Sequence, residues 1–408
     1  MSEQRTRVTM IGRRVAPAHG PGGLETAVRE QVLEIARAGI EVDLWTETPR
    51  DDDRRRRAEA AYPGSVRLHW VPAGPLPLGT RRGTVVLDRI TNYPLWSHRV
   101  ARAIGRPGDI VHVQGLAGLG AAAQRSSGAW QAPLVLTTQG MEEFLVGGLK
   151  RLAYAPFRAG MRRIAAAADR VVVTDRTLLP VVTELLALDP EQAVLIPNAI
   201  HPDAGPAAAV PEAAQQVLAR AGHAGRARTL LSMGRFEANK GFELLAQALG
   251  EAGSELGDWV WVLVGDGPQR PEIERAIAAA GVGDRCLLVG RVDEAVKHGL
   301  LARADWFVHP TRFEGSSLVT LEAMAHSLPV LGSRAGGLPD KIEPGRSGLL
   351  VEPGDVTALA AALRTLPSLP AAELGARGRA IVEERFSWEV VGTAFVELYQ
   401  ELLDLHPR

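Results

Sequence analysis

The chain has 408 residues, enough for two domains of about 200 residues each, and 46% of them are hydrophobic, so a substantial core can form. A formal net charge of −1 provides no whole-protein field that would attract nucleic acid, and we expect no nucleic-acid partner. The single cysteine, Cys286, excludes a disulfide framework and is typical of a reducing compartment. The N-terminus lacks the apolar core of a signal peptide, and no apolar run approaches the ~18 residues of a membrane span. We therefore expect a cytoplasmic protein.

Short β-branched strands alternate with longer helical stretches in the first half of the chain. Most of these strands are apolar on both faces, as parallel strands are when helices cover both sides of a sheet. The strands are predicted at residues 7–11, 42–46, 66–71, 109–114, 133–138, 170–174 and 193–198, with a helix at 24–38 after the first of them. This alternation predicts a doubly wound α/β domain.

A second series of strands begins after a stretch rich in proline, glycine and alanine, residues 201–226, which we predict to be a linker around a short helix. The strands of this second series are predicted at residues 229–235, 259–267, 286–291, 305–310, 329–334 and 348–353. The chain ends in a long amphipathic helix at 387–405. We thus predict an α/β protein with two Rossmann-like domains, 1–200 and 227–385, whose parallel sheets face a central cleft. Residues 386–408 are expected to pack back on the N-terminal domain.

Two glutamates flank the predicted start of a helix in the second half of the chain. Glu314 lies in the loop after the fourth strand of the second series, and Ser316 or Ser317 is a suitable N-cap for the following helix. Free N–H groups at a helix start bind anions, and a carboxylate ~7.5 Å further along the axis, at Glu322, suits the ribose of a nucleotide. The pair favours a ligand with hydroxyls on both sides of a diphosphate, namely a nucleotide sugar. Two solvated glutamates are the alternative.

Two cations follow the first strand of the second series, in the segment GRFEANKG at 234–241. A planar guanidinium at Arg235 and an ammonium at Lys240 can both hold phosphate oxygens. They would also stabilise the negative charge that grows on a departing diphosphate. A basic, solvated turn is the alternative.

A glycine-rich loop, residues 12–25, follows the first strand of the chain and leads into a helix. It does not match the G-x-G-x-x-G pattern of dinucleotide-binding folds. Gly22 and Gly23 could let the loop fold over a ligand in the cleft, and a surface loop without a ligand is the alternative.

The stretch EGSSLVTLEAMA at 314–325 resembles the E-x7-E motif of GT4-type retaining glycosyltransferases, which adopt the GT-B fold. Further segments match in family order over nearly the whole chain. They are Gly22 with Gly23, IPNAI at 196–200, GRFEANKG at 234–241, VGDGP at 264–268, VGRV at 289–292, LPVLGSRAGGLPD at 328–340 and GLLVEPGD at 348–355. The resemblance implies a nucleotide-diphosphate sugar donor held mainly by the C-terminal domain and an acceptor held mainly by the N-terminal one. It implies no cofactor.

The resemblance also assigns roles to individual residues. Arg235 and Lys240 would contact the donor diphosphate and Glu314 the hydroxyls of the donor sugar, which makes these three the candidate catalytic residues. Glu322 would bind the ribose. The expected donor-binding residues are Gly22, Gly23, Gln139, Gly234, Arg291, Val292, Gly315, Ser316, Ser317, Leu318 and Glu322, with Arg291 and Val292 framing the nucleobase and the amides of 315–318 helping to bind sugar and phosphate.

Two positions depart from the family pattern. Gln139 stands where the family commonly has a histidine that reaches the donor sugar, and an amide can donate and accept hydrogen bonds but does not titrate near neutral pH. His112 and Gln114 replace a frequent H-x-H, and we expect His112 to be a packed or hydrogen-bonded core residue.

The implied reaction is transfer of a sugar, from a UDP-sugar rather than a GDP-sugar, to an acceptor hydroxyl with retention of configuration. We expect front-face substitution without a metal ion, because Arg235, Lys240 and the helix start already stabilise the leaving group. The acceptor is an unknown small molecule, glycan or lipid-linked hydroxyl. A nucleotide-sugar epimerase or hydrolase on the same fold and a non-catalytic nucleotide-sugar binder are the alternatives.

Two charged stretches of the sequence suggest other roles. The acidic triplet at 51–53 resembles a metal-binding motif, but four arginines follow it in a predicted loop, and a self-neutralising charge run is expected. The basic amphipathic stretch at 149–170 could touch anionic lipid at the inner face of the membrane, and an ordinary helix with a solvated basic face is the alternative. Its cations are Lys150, Arg151, Arg158, Arg162 and Arg163.

Overall fold

The structure is a computed structural model that describes residues 5–20, 22–73, 87–88, 91–138, 152, 154–208, 211–220 and 228–407. The chain forms two compact units. One unit comprises Met1–Asn198 together with Trp388–Arg408, and the other is the continuous segment Ala199–Ser387. Within the described ranges, no helix is long and apolar enough to cross a bilayer.

The first unit is built on a seven-stranded parallel sheet, counted over its described residues. Its strands are β1 (Arg7–Ile11), β2 (Glu41–Glu47), β3 (Val66–Val71), β4 (Ile110–Gln114), β5 (Leu134–Thr137), β6 (Arg170–Val173) and β7 (Ala193–Leu195). They lie in the order β3-β2-β1-β4-β5-β6-β7, and each pair of neighbours runs parallel. The seven strands predicted for the first half of the chain are confirmed.

Helices cover this sheet and bury the apolar strands. They are α1 (Gly23–Arg37), α2 (Asp52–Ala61), α3 (Asn92–Ile104), α4 (Leu119–Ser126), α5 (Ala155–Ala167) and α6 (Leu179–Leu186). Every residue of β4 is buried. Trp96 of α3 and Ile164 of α5 belong to the same buried apolar cluster as Val111 and Val113, so the residues of β4 and the helices share one core.

The acidic triplet at 51–53 lies at the start of α2, so the predicted loop is wrong. Asp51 caps the helix, because its carboxylate accepts a hydrogen bond of 2.9 Å from the backbone N–H of Asp53. Asp53 forms ion pairs with Arg56 at 3.1 Å and with Arg57 at 3.2 Å, one turn further on. Acids at the N-terminus followed by arginines three and four residues later stabilise a helix. The expected self-neutralisation is confirmed, and it occurs within a helix.

The second unit has a six-stranded parallel sheet over its described residues. Its strands are β8 (Arg228–Met233), β9 (Trp259–Val264), β10 (Cys286–Gly290), β11 (Trp306–His309), β12 (Val330–Ser333) and β13 (Gly348–Val351), and they confirm the six predicted strands. Their order is β10-β9-β8-β11-β12-β13. The chain therefore reverses its direction across the sheet between β8 and β11, as in a dinucleotide-binding fold.

The helices of the second unit flank this sheet. They are α7 (Ala204–Ala208), α8 (Pro211–Arg220), α9 (Phe242–Ala252), α10 (Arg270–Ala279), α11 (Glu294–Leu301), α12 (Leu318–Ala325), α13 (Leu338–Lys341), α14 (Val356–Thr365) and α15 (Ala371–Arg385). In the stretch 201–226, which the sequence predicts as a linker, the described residues include both α7 and α8. Both helices pack against α11.

The final helix, α16 (Trp388–Leu405), packs against α1 of the first unit. Its Tyr399 hydroxyl lies 2.6 Å from Nδ1 of His112, whose Nε2 lies 2.7 Å from the hydroxyl of Thr137. Burial lowers the pKa of His112 to about 3, so the ring is neutral at physiological pH. The expectation that His112 is a hydrogen-bonded core residue is confirmed.

Candidate functional site

Two loops of the second unit meet beyond the carboxyl ends of β8 and β11. These neighbouring strands mark the point where the strand order reverses, which is where ligands bind in open α/β sheets. The two loops are joined through Asn239. Its carbonyl oxygen accepts hydrogen bonds from the backbone N–H of Arg312 at 2.7 Å and the hydroxyl of Thr311 at 2.8 Å. Its side-chain amide donates to the carbonyl of Phe313 at 3.1 Å. The spacing between the loops is therefore fixed by the protein itself.

This arrangement brings Lys240 and Glu314 into direct contact. Lys240 Nζ lies 2.6 Å from Oε2 of Glu314, and Nε2 of His309 lies 2.6 Å from the same oxygen. Burial of Glu314 would raise the pKa of its carboxyl, but the hydrogen bonds and charges of His309 and Lys240 lower it to about 2. Glu314 is therefore a permanent, largely buried anion, with 12% of its side chain exposed.

The loop after β12 supports the backbone of Glu314. Gly336 has a φ of +52°, and a Cβ at this position would lie 1.6 Å from the carbonyl oxygen of Glu314. Glycine is therefore required there for both conformation and space. The neighbouring Gly337 N–H donates to the carbonyl of Gly315 at 3.3 Å. The segment LPVLGSRAGGLPD thus has a direct structural link to the predicted site.

The start of α12 has a polar group ready for a ligand. The helix begins at Leu318 with Ser317 as N-cap, but the Ser317 side chain accepts from the hydroxyl of Thr320 at 2.9 Å and does not cap the backbone. The hydroxyl of Ser316 is buried and has no hydrogen-bond partner among the described residues. A Cβ on Gly315 would meet open space. Free N–H groups and an unpaired hydroxyl therefore lie together at a helix start, which suits an anionic, oxygen-rich ligand.

Glu322 also forms an ion pair with a lysine. Lys297, on α11, lies 2.9 Å from Oε1 of Glu322 and 2.6 Å from Oε2 of Glu294. Burial would lower the pKa of Lys297, but the two carboxylates raise it. Arg291 and Val292 precede α11, with Arg291 exposed and Val292 half-buried. Helix α11 therefore links Arg291 and Val292, which are predicted to frame the nucleobase, with Glu322, which is predicted to bind the ribose.

Glu294, His298 and Glu322 have ligand atoms within 4.8 Å of one another, a separation that a metal ion could bridge. Lys297 forms ion pairs with both carboxylates, so its single positive charge already offsets part of their negative charge.

The structure places three further predicted site residues, one in the second unit and two in the first. Arg235 has 79% of its side chain exposed and pairs with Glu237 at 2.6 Å, so the structure does not bring it to Glu314. Gly22 is the N-cap of α1 and Gly23 its first residue, both in the first unit. Gln139 lies outside the described residues.

Sequence comparison identifies the family. Residues 21–204 match the family described as Glycosyltransferase Family 4, and residues 227–368 match Glycosyl transferases group 1. The chain is 30% identical over 448 aligned positions to a D-inositol 3-phosphate glycosyltransferase of Streptomyces avermitilis, covering 100% of this chain and 90% of that protein. The chain belongs to the GT4-type glycosyltransferases. The predicted family and enzyme class are confirmed.

Solved structures show the fold of this GT4-type glycosyltransferase. A sucrose-phosphate synthase from Thermosynechococcus elongatus is 25% identical with a TM-score of 0.79, covering 98% of this chain and 100% of that one. HepE from Anabaena, solved in complex with UDP-glucose, is 17% identical with a TM-score of 0.73, covering 97% of this chain and 100% of that one. The predicted GT-B fold with two Rossmann-like domains is confirmed.

Sequence reasoning missed two residues that contact the motif glutamates of this glycosyltransferase. His309 is the last residue of β11, and a polar side chain at the carboxyl end of a buried strand was a usable signal. Lys297 is three residues after Glu294 on α11, and its spacing within that helix indicates an ion pair with Glu294 only. Its contact with Glu322 depends on how two helices pack, which the local sequence does not encode.

Proposed function

We propose that this enzyme is a retaining glycosyltransferase that moves a sugar from a UDP-sugar to an acceptor hydroxyl without a metal ion. One observation carries the proposal. The buried carboxylate of Glu314 is held ionised by Lys240 and His309 at the point where the strand order reverses, directly before the free helix start of α12. A fixed anion can accept hydrogen bonds from sugar hydroxyls, while the helix start and Lys240 attract a diphosphate.

The proposed reaction is a front-face substitution. The acceptor oxygen forms a bond to the anomeric carbon on the face from which the diphosphate leaves, and the bond between that carbon and the phosphate oxygen breaks. The acceptor proton passes to a phosphate oxygen of the leaving group. Lys240, Arg235 and the amides at the start of α12 would stabilise the charge that develops on the diphosphate. Arg235 is exposed and paired with Glu237, so it would change partner when the donor binds.

The names of similar proteins suggest a donor and an acceptor. HepE was solved with UDP-glucose, which supports a UDP-sugar donor, with Arg291 and Val292 framing the base and Glu322 accepting from the ribose. A relative that aligns with all of this chain is named for D-inositol 3-phosphate, which supports a small cyclitol as acceptor.

An activity assay with the purified protein tests this proposal. The donors are UDP-glucose, UDP-N-acetylglucosamine and GDP-mannose, each with and without D-inositol 3-phosphate. We expect UDP release that depends on the acceptor, a product with the donor's anomeric configuration by NMR, and the same rate in EDTA. UDP release without acceptor would favour a hydrolase. An inverted product or loss of activity in EDTA would contradict the mechanism.

We also propose that the enzyme is cytoplasmic and contacts anionic lipid through α5. Arg102 on α3 and Arg163 on α5 both act on His98, whose pKa is lowered by burial and by these two charges. Arg162 and Arg163 on α5 are exposed, while Lys150 and Arg151 lie outside the described residues. Co-sedimentation with phosphatidylserine vesicles should exceed that with phosphatidylcholine vesicles and fall with salt. Binding that is insensitive to lipid charge would contradict this contact.

A further inference from the structure

His309 has a place in the site that the sequence motif does not assign. It ends β11, its side chain is fully buried, and its ring stacks on Phe307 with centroids 5.9 Å apart and planes at 16°. Its Nε2 lies 2.6 Å from Oε2 of Glu314. Because the ring is buried and stacked, packing in the core fixes the position of Nε2.

Both donors to Glu314 from the described residues bind the same oxygen. Lys240 and His309 each lie 2.6 Å from Oε2, which leaves the accepting capacity of Oε1 for a ligand. The two donors differ in stiffness. A lysine ammonium ends a flexible four-carbon chain with three donors, whereas an imidazole is planar and held by its packing.

We infer that His309 is a positioning residue that anchors Glu314 for recognition of the donor sugar. It fixes Oε2, so that Oε1 presents a hydrogen-bond acceptor to a sugar hydroxyl. It keeps this geometry while Lys240 turns towards the diphosphate. A hydrogen on Nε2 fulfils this role, and Nδ1 is buried and has no partner among the described residues. The inference rests on the proposed function.

This role affects binding of the sugar part of the nucleotide sugar but not binding of its nucleotide diphosphate part. The anchor acts on the carboxylate that faces the sugar, so its loss should weaken binding of the nucleotide sugar more than binding of the nucleotide diphosphate alone. A residue that only supports the fold would weaken both by the same factor. The ratio of the two Kd values therefore distinguishes a positioning role from a structural one.

The test uses the full chain and isothermal calorimetry with UDP and UDP-glucose, with GDP and GDP-mannose in parallel. His309→Leu removes the hydrogen-bond donor to Glu314, and His309→Gln keeps an amide N–H near the position of Nε2. Hydrogen bonds to charged groups are worth about 1.5–3 kcal/mol, so we expect His309→Leu to lose roughly 10-fold or more in affinity for the nucleotide sugar. Its affinity for the nucleotide diphosphate should stay within about twofold, and His309→Gln should restore most of the loss. If His309→Leu does not fold, His309→Asn takes its place, because its shorter amide does not reach the Nε2 position.

A second arm places His309→Leu in the Glu314→Gln background, where we expect little further loss of nucleotide-sugar affinity because the anchored charge is already gone. Additive losses, parallel loss of both ligands, or unchanged binding of both ligands would overturn the inference while leaving the proposed function standing. A wild-type protein that binds none of the four ligands would overturn the proposed function and this inference with it.

Discussion

Replacing Glu314 by glutamine should reduce stability in a manner that depends on pH. In the folded protein the pKa of Glu314 is about 2, against an ordinary value of 4.5. At about 1.4 kcal/mol for each tenfold change in proton affinity, this difference corresponds to about 3 kcal/mol of unfolding free energy. Because the folded pKa is depressed, the contribution is complete above pH 4.5 and is lost as the pH falls towards 2. The amide resembles the protonated acid and lacks this contribution at every pH.

The assay is urea unfolding at a series of pH values, followed by tryptophan fluorescence, to which Trp259, Trp261 and Trp306 of the second unit contribute. We expect the wild type to exceed Glu314→Gln by about 3 kcal/mol at pH 7, and the difference to shrink below pH 4.5. Glu294→Gln is the matched control. The pKa of Glu294 is also lowered to about 2, first by its hydrogen bond to His298, but 69% of its side chain is exposed. Solvent screening should hold its effect below about 1 kcal/mol. Equal losses in both variants, or a difference that does not change with pH, would refute the reasoning.

Three further variants test other parts of the structure. Arg235→Ala should leave the urea midpoint unchanged, because the side chain is exposed, and should lower kcat by about 100-fold if it stabilises the leaving group; normal turnover would remove it from the catalytic set. Tyr399→Phe should destabilise the first unit by about 1–3 kcal/mol, since a ring nitrogen of His112 loses its partner, and an unchanged unfolding curve would contradict this. Gly336→Ala should cost at least about 1 kcal/mol and raise the KM for the donor, because its Cβ would displace the backbone of Glu314; a normal KM would show that the loop is not needed for donor binding.

The fold could be predicted from the sequence because its signals are local. Strands such as β9, with six successive buried apolar residues, and loops that carry glycine and polar residues mark a parallel sheet without long-range information. The helix α2 was missed because its run of charges lacks an apolar face, although Asp51 is a good N-cap and the arginines lie at helical spacing.

The site could be predicted only in part. Lys240 and Glu314 were identified because each follows a strand, and the fold brings loops after neighbouring strands together. Their contact joins residues 74 positions apart and depends on the strand order, which periodicity does not give. The exposure of Arg235 and the anchoring of Glu314 by His309 depend on side-chain packing, for which the local sequence has no code.

The return of α16 to the first unit has a consequence for biosynthesis. A ribosome synthesises residues 1–198 before Trp388–Arg408, so the first unit lacks one of its own helices until residues 388–408 have emerged. Until then the imidazole of His112 has no phenol to cover it, whereas the continuous second unit can already fold. Nascent chains stalled before residue 388 should therefore be cut by protease within residues 1–198. Residues 199–387, which form the second unit, should be protected.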